Sequence, residues 1–95
     1  GDWCFPHDIK ASCLEPCSAV YTIVLDSCHT FMVNDVWCIT LGHGYTRGVL
    51  KHGYFGTSEV TNDLMKMPGW SNGHVIIDNS CIVRESSTQN VIAIQ

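Results

Sequence analysis

Residues 20–44, VYTIVLDSCHTFMVNDVWCITLGHG, decide the fold that the sequence predicts. Val20–Leu25 is rich in β-branched and aromatic residues, which are enriched in strands. His29–Val33 and Val36–Leu41 flank Asn34-Asp35, two residue types that tolerate the positive φ angles of a tight hairpin turn. The stretch therefore predicts three short strands in succession, the last two joined as a hairpin.

Length and composition indicate one small domain. A chain of 95 residues builds an adequate but not a large hydrophobic core. The composition is 45% hydrophobic and only 15% charged, which excludes disorder driven by charge. We expect three segments in this domain: a cysteine-tied lead-in over residues 1–17, the three-strand core over 18–44 and an extension over 45–95.

One helix is predicted in the extension, over about residues 57–67. Val60, Leu64 and Met67 recur at i, i+4 and i+7, a spacing that places them on one apolar face. Pro68-Gly69 then ends the helical pattern. The extension also contains four short segments with strand character: Val49-Leu50, His74–Asp78, Cys81–Glu85 and Asn90–Ile94. The predicted fold class is therefore mainly β, a small all-β sheet with one short α-helix.

The charge balance bears on the partners of the chain. Nine acidic and five basic residues give a net charge of −4, which argues against a phosphate-binding surface and so against nucleic acid. No apolar run approaches the length of about 18 residues that a membrane-spanning helix needs. Because the low charge leaves little repulsion between molecules, copies of the chain are candidate partners in an oligomer or a filament.

Six cysteines allow two interpretations. Disulfides would favour an extracellular location over a cytoplasmic one, although the sequence does not choose the pairing. In the reduced alternative, Cys28, Cys38 and Cys81, which lie in strand-like runs of sequence, are small buried hydrophobic residues. Cys13 and Cys17 are separated by three residues, which differs from the usual spacing of a zinc knuckle, so no metal ion or other cofactor is predicted.

His43 and Cys38 are the candidate catalytic residues. His43 lies between Gly42 and Gly44, where close backbone approach from both sides is unusual for a surface histidine. A cysteine nucleophile needs a nearby base, and the bend at Gly42 could bring Cys38 to His43. The alternative is structural: Cys38 is buried or disulfide-linked, and His43 caps a turn through its ring nitrogens.

Short motifs in a characteristic order resemble one family. They are Trp3-Cys4-Phe5-Pro6-His7-Asp8-Ile9, Val20-Tyr21 through Asn34, Cys38-Ile39-Thr40-Leu41-Gly42-His43-Gly44, His52-Gly53-Tyr54-Phe55-Gly56-Thr57, Asp63-Leu64 and Pro68-Gly69-Trp70. This order resembles the C-terminal part of a Hint (hedgehog/intein) domain of the Vint type, found with von Willebrand type A domains. Thr40–Gly44 and Tyr54–Thr57 are its most specific parts.

The resemblance implies an all-β fold that cleaves or splices its own backbone. In that family an N-terminal Cys or Ser attacks the preceding carbonyl, a Thr-x-x-His motif activates the scissile amide, and a later histidine assists cleavage at the other end. The chain departs from this pattern, because it has no opening nucleophile block and no His-Asn pair ahead of a nucleophile. Cys28-His29-Thr30 has the wrong order for Thr-x-x-His, and Thr22 stands where inteins often carry aspartate.

Two functions are consistent with these observations. The first is the C-terminal portion of a self-processing Hint-like domain, which we expect to be inactive as an isolated chain and to be completed by its missing N-terminal half. The alternative is a non-enzymatic secreted structural subunit that assembles through edge strands and disulfides.

Overall fold

The computed structural model describes residues 3–95, so residues 1 and 2 of the predicted lead-in lie outside the described residues. Its α-helices and β-strands, in chain order, are α1 (Pro6–Ile9), β1 (Thr30–Val33), β2 (Val36–Ile39), α2 (Ser58–Met65), β3 (Ile82–Arg84) and β4 (Val91–Ile94). Within residues 3–95 the fold is mainly β, as predicted, with strands in two small antiparallel sheets and one helix longer than a single turn. No helix in this range has the length and apolar character needed to cross a membrane.

The predicted hairpin forms between β1 and β2. The two strands pair antiparallel, with Thr30 opposite Ile39 at the base. Asn34 and Asp35 occupy the turn with φ angles of 48° and 65°, which match a two-residue turn of the I′ type. The turn chemistry of these two residues therefore fixes the register of the hairpin.

The predicted first strand of the core does not form. Val20–Leu25 pairs with no other segment of the described chain, and every residue from 3 to 23 is exposed. β-branched residues favour a half-buried sheet surface, and this segment has no neighbouring strand to supply one. Val49-Leu50 and His74–Asp78 are also wrong as strands, since the first lies in a 3-10 turn and the second forms no ladder. The three-strand core is thus a two-strand hairpin.

Helix α2 lies within the predicted range. The Thr57 hydroxyl caps its N-terminus by accepting the Glu59 N–H at 3.2 Å. Val60 and Leu64 are buried, as their spacing predicts, and α2 packs against β4. After the helix the chain turns at Gly69, whose φ of 95° suits glycine.

The hydrophobic core lies between α2, the second sheet and the loop that precedes α2. β3 and β4 form that sheet, antiparallel, with Ile82 opposite Ile94. The buried hydrophobic residues are Tyr54, Val60, Leu64, Val91 and Ile94. All of them belong to the predicted extension over residues 45–95, so this part of the chain supplies most of the packing.

A polar network ties the loop before α2 to this core. The Tyr54 hydroxyl donates to Asp63 Oδ2 on α2 at 2.6 Å, and the same oxygen accepts the Ile94 N–H of β4 at 3.3 Å. The pKa of the Asp63 carboxyl is lowered below its ordinary value, mainly by the hydrogen bond from Tyr54 and to a smaller extent by the hydrogen bond from Ile94. Burial, and then the Asp63 carboxylate, raise the pKa of Tyr54. The network therefore fixes the position of Tyr54 relative to α2 and β4.

The expected disulfides are not supported, because all six cysteines are free thiols. Four of them, Cys4, Cys13, Cys17 and Cys28, are exposed. A disulfide needs two Cα atoms within about 4.4–6.8 Å, and an exposed segment has no packing that brings cysteines so close. The structure therefore does not support the prediction that cysteines tie down the lead-in. Nor does it support the disulfides through which the alternative, a secreted structural subunit, would assemble.

Candidate functional site

The two most specific motifs of the sequence lie side by side. The Gly42 N–H donates to the Phe55 carbonyl at 2.8 Å, and the Gly44 N–H donates to the Gly56 carbonyl at 2.7 Å. These two bonds hold the segment that carries His43 against the loop of residues 52–57, which we call the His52 loop. The backbone on both sides of His43 is therefore fixed.

Glycine is required on both sides of this contact. Gly42 and Gly44 have φ angles of 74° and 82°, in the left-handed region that favours glycine. A Cβ on Gly56 would lie 3.0 Å from Cε1 of His43 and 3.0 Å from the His52 carbonyl oxygen. The His43 ring thus rests directly on the backbone of Gly56, and a side chain at position 56 would displace it.

The His43 imidazole is half-buried and has a defined tautomer. Its Nδ1 accepts the Tyr45 N–H at 2.9 Å, so the proton of the neutral ring is assigned to Nε2. Burial lowers the pKa of His43 below its ordinary value, the Leu50 carbonyl opposes this effect, and the nearby His29 adds to it. Neutral His43 therefore caps a turn through Nδ1, as the structural alternative expects, and keeps Nε2–H as a hydrogen-bond donor.

The titration of His43 gives a first test of this environment. Because burial disfavours the charged ring, we expect NMR titration of its imidazole to give a pKa below 6.5. The unfolded chain binds this proton more readily, so the contribution of His43 to stability is complete above about pH 6.5 and is lost as the pH falls through the folded pKa. In the His29→Ala variant the pKa should move upward. A value of 6.5 or more in the wild-type chain would contradict the buried, neutral state.

Two buried polar atoms have no hydrogen-bond partner within residues 3–95: Nδ1 of His29, a residue close enough to His43 to lower its pKa, and Oγ1 of Thr40. The Thr40 N–H donates to the His29 carbonyl at 2.7 Å, so the backbone holds these two residues together. Thr40 is only 4% exposed, and His29 has a φ of 48°, which is uncommon for a residue other than glycine. Since buried polar groups are almost always paired in native proteins, His29, Thr40 and His43 mark the candidate site.

One family match covers almost the entire chain. The family profile Vint, described as a Hint-domain, matches residues 1–93. The chain belongs to the Vint family of Hint domains. No curated protein and no solved structure matches it. The matched range of this Vint chain includes both motifs that meet at His43 and both residues with an unpaired buried atom, His29 and Thr40.

The Vint chain contains a Thr-x-x-His spacing that the sequence interpretation missed. Thr40-Leu41-Gly42-His43 has this order, whereas the interpretation rested on Cys28-His29-Thr30. The spacing alone would have identified Thr40 as a candidate beside His43. The burial of its hydroxyl, and the approach of His29 to the same place, depend on the hairpin pairing and are visible only in the structure.

Cys38 is not hydrogen-bonded to His43 within the part of the chain that the structure describes. Its Sγ donates to the Val36 carbonyl at 3.7 Å, within the same strand, and Phe31 lies opposite on β1. Cys38 therefore stays a weaker catalytic prediction than His43. Residues 3–95 also contain no group of three or more His, Cys, Asp or Glu side chains that could hold a metal ion.

Proposed function

We propose that this Vint chain is the C-terminal portion of a self-processing Hint domain and that, as an isolated chain, it does not cleave a peptide bond. Two buried, unpaired atoms, one on His29 near His43 and one on Thr40, support this proposal most strongly. Leaving such a group without a partner costs about 1–3 kcal/mol. We therefore infer that a polar group from outside the described residues completes the site.

A backbone peptide group matches the unpaired atoms in its chemistry. It offers one C=O acceptor and one N–H donor. The hydroxyl of Thr40 can donate to a carbonyl oxygen, and Nδ1 of His29, in the tautomer that carries its proton on Nε2, can accept an N–H. The Nε2–H of neutral His43 can then act as a hydrogen-bond donor that polarises the carbonyl, in exchange for its interaction with the Leu50 carbonyl. The proposed substrate is therefore a peptide bond of the same protein.

The nucleophile belongs, in this proposal, to the N-terminal half of the domain. The family mechanism has a Cys or Ser attack the preceding carbonyl. Its sulfur or oxygen bonds to that carbon as the C–N bond breaks, and the proton that the thiol or hydroxyl gives up passes to the freed nitrogen. Cys38 is the weaker candidate for the nucleophile, because its thiol donates a hydrogen bond to the Val36 carbonyl of its own strand. The role that remains for the present chain is to bind and activate the scissile amide.

The β1–β2 hairpin supplies a surface on which the N-terminal half could dock. Met32, Val33, Val36 and Trp37 are each at least 44% exposed, although all are large hydrophobic residues. Successive residues on a strand point to opposite faces, so both faces of the hairpin are apolar and open. The outer edges of both strands are also unpaired within residues 3–95. Copies of this chain are the alternative partner for the same surface.

The isolated chain provides the simplest test of the proposal. We expect the 95-residue chain, fused to a flanking peptide, to stay intact during purification and incubation at neutral pH. The measurement is the intact mass of the fusion over time. Release of the peptide at a rate that falls when His43 is replaced by Ala would show that the chain is active by itself and would overturn the proposal.

A further inference from the structure

We propose that His52 is a positioning residue for His43. It acts through the hydrogen bonds that its ring accepts, which shape the His52 loop beneath the His43 ring. The inference rests on the proposed function for its effect on processing, but its structural part can be tested without any reaction.

The first step is the bond pattern at the His52 ring. Nδ1 of His52 accepts the Tyr54 N–H at 3.1 Å and the Phe55 N–H at 2.9 Å. The ring also packs against Phe55, with centroids 4.8 Å apart. One side-chain nitrogen thus satisfies two successive backbone donors, as an Asn or Asp oxygen does in a turn of the Asx type. Without this acceptor the N–H of buried Tyr54 loses its bond.

The second step connects this turn to His43. The residues that follow the turn, Phe55 and Gly56, accept the bonds from Gly42 and Gly44 that fix the backbone on either side of His43. A rotation of the Phe55 peptide would therefore disturb the contact from which the His43 ring takes its position.

The third step is the absence of free space at Gly56. Its backbone lies between the His52 carbonyl oxygen and the His43 ring. A Cβ added to Gly56 would lie only 3.0 Å from that oxygen and 3.0 Å from Cε1 of the ring. Because the contact is so close, a shift of residue 52 or 56 moves the backbone against the imidazole. The placement of the His43 ring is thus coupled to the His52 turn by contact as well as by hydrogen bonds.

The far side of the loop is fixed independently of His52. The Tyr54 hydroxyl donates a hydrogen bond to Asp63. The Tyr54 carbonyl accepts two hydrogen bonds from Thr57, one from its N–H at 3.0 Å and one from its hydroxyl at 2.8 Å. Replacing His52 should therefore leave the core of the chain folded while it changes the side of the loop that faces His43.

Two variants separate the acceptor of His52 from its ring. His52→Phe keeps an aromatic ring for the contact with Phe55 and loses the acceptor. His52→Asn loses the ring and keeps an acceptor within reach of the same N–H groups. We expect NMR titration of His43 to show a changed pKa in the Phe variant, moved toward the ordinary value of 6.5, and a wild-type pKa in the Asn variant. His74→Phe, at an exposed histidine outside the loop, is the matched control and should leave the His43 titration unchanged.

The results distinguish positioning from stability alone. If His52→Phe is folded and His43 titrates as in the wild-type chain, His52 does not position His43 and the inference is wrong. If the Phe variant does not fold, the Asn variant decides, because a folded Asn variant with an altered His43 titration would equally overturn the inference. In the complete Hint domain the Phe variant should process slowly and the Asn variant at the wild-type rate. A completed wild-type domain that does not process, together with the expected titrations, would refute the proposed function and leave the positioning role intact.

Discussion

The His43→Ala variant of the complete domain, with the N-terminal half present, is expected to process its peptide bond about 10²–10³-fold more slowly than the wild type, the usual cost of removing one hydrogen-bond donor that stabilises the charge developing on the carbonyl oxygen. The reason is that His43 is the residue at the site with a defined tautomer, which carries its proton on Nε2. The rate would be measured from the intact mass of samples taken over time.

The control for this variant is another histidine. His74 is exposed and lies outside the candidate site, so His74→Ala should process at the wild-type rate. Equal rates for His43→Ala and His74→Ala would assign His43 to the turn-capping role alone, through its bond to the Tyr45 N–H. The proposed chemistry would then lose its hydrogen-bond donor to the carbonyl.

The largest effect on stability is expected at Gly69. A Cβ at this position would overlap the carbonyl oxygen of His74, and the φ of 95° is strained for any residue with a side chain. Strain of this kind costs about 1–3 kcal/mol before the overlap is counted. We therefore expect Gly69→Ala to lower the free energy of unfolding by about 3 kcal/mol or more, a large share of the stability of a small domain. Urea denaturation measures the change.

Gly73 provides a matched control in the same turn. Its φ is 79°, but a Cβ there would meet no atom within 4 Å. Gly73→Ala introduces the backbone strain without the overlap and should lower the free energy of unfolding by about 1–2 kcal/mol. If the free energy of unfolding falls by the same amount in both variants, the close packing of Gly69 on His74 does not contribute to the effect of Gly69→Ala.

The parts of the fold that the sequence predicts correctly depend on local chemistry. Asn34-Asp35 determines a hairpin turn because few other residue pairs adopt two successive positive φ angles. Thr57, Val60 and Leu64 determine α2 because the cap and the apolar spacing act within a few residues.

The wrong predictions concern partners that local chemistry does not specify. Val20–Leu25 has the composition of a strand but no strand beside it in the described chain. The cysteines had an even number but no packing that pairs them. Both features depend on contacts between distant residues, and in our proposal some of those contacts belong to the missing half of the domain.

At the candidate site, too, the sequence predicts the features set by neighbouring residues but not those that depend on contacts made by the folded chain. His43 could be selected from its two flanking glycines, and Thr40 from the Thr-x-x-His spacing. The sequence does not reveal that Oγ1 of Thr40 and Nδ1 of His29 are each buried without a partner, because burial results from the hairpin and its surroundings. The role of His52 is likewise hidden, since it acts through backbone groups of Tyr54 and Phe55.

The central claim is that this Vint chain completes a self-processing domain by activating a peptide bond at His29, Thr40 and His43. The most direct measurement is the intact mass of the chain joined to the N-terminal half of the domain, followed over time for the wild type and for Thr40→Val, which replaces the unpaired hydroxyl with a methyl group. The account predicts cleavage at one peptide bond in the wild type and markedly slower cleavage in the variant. A folded, complete domain that stays intact, or one that cleaves at the same rate without the Thr40 hydroxyl, would contradict it.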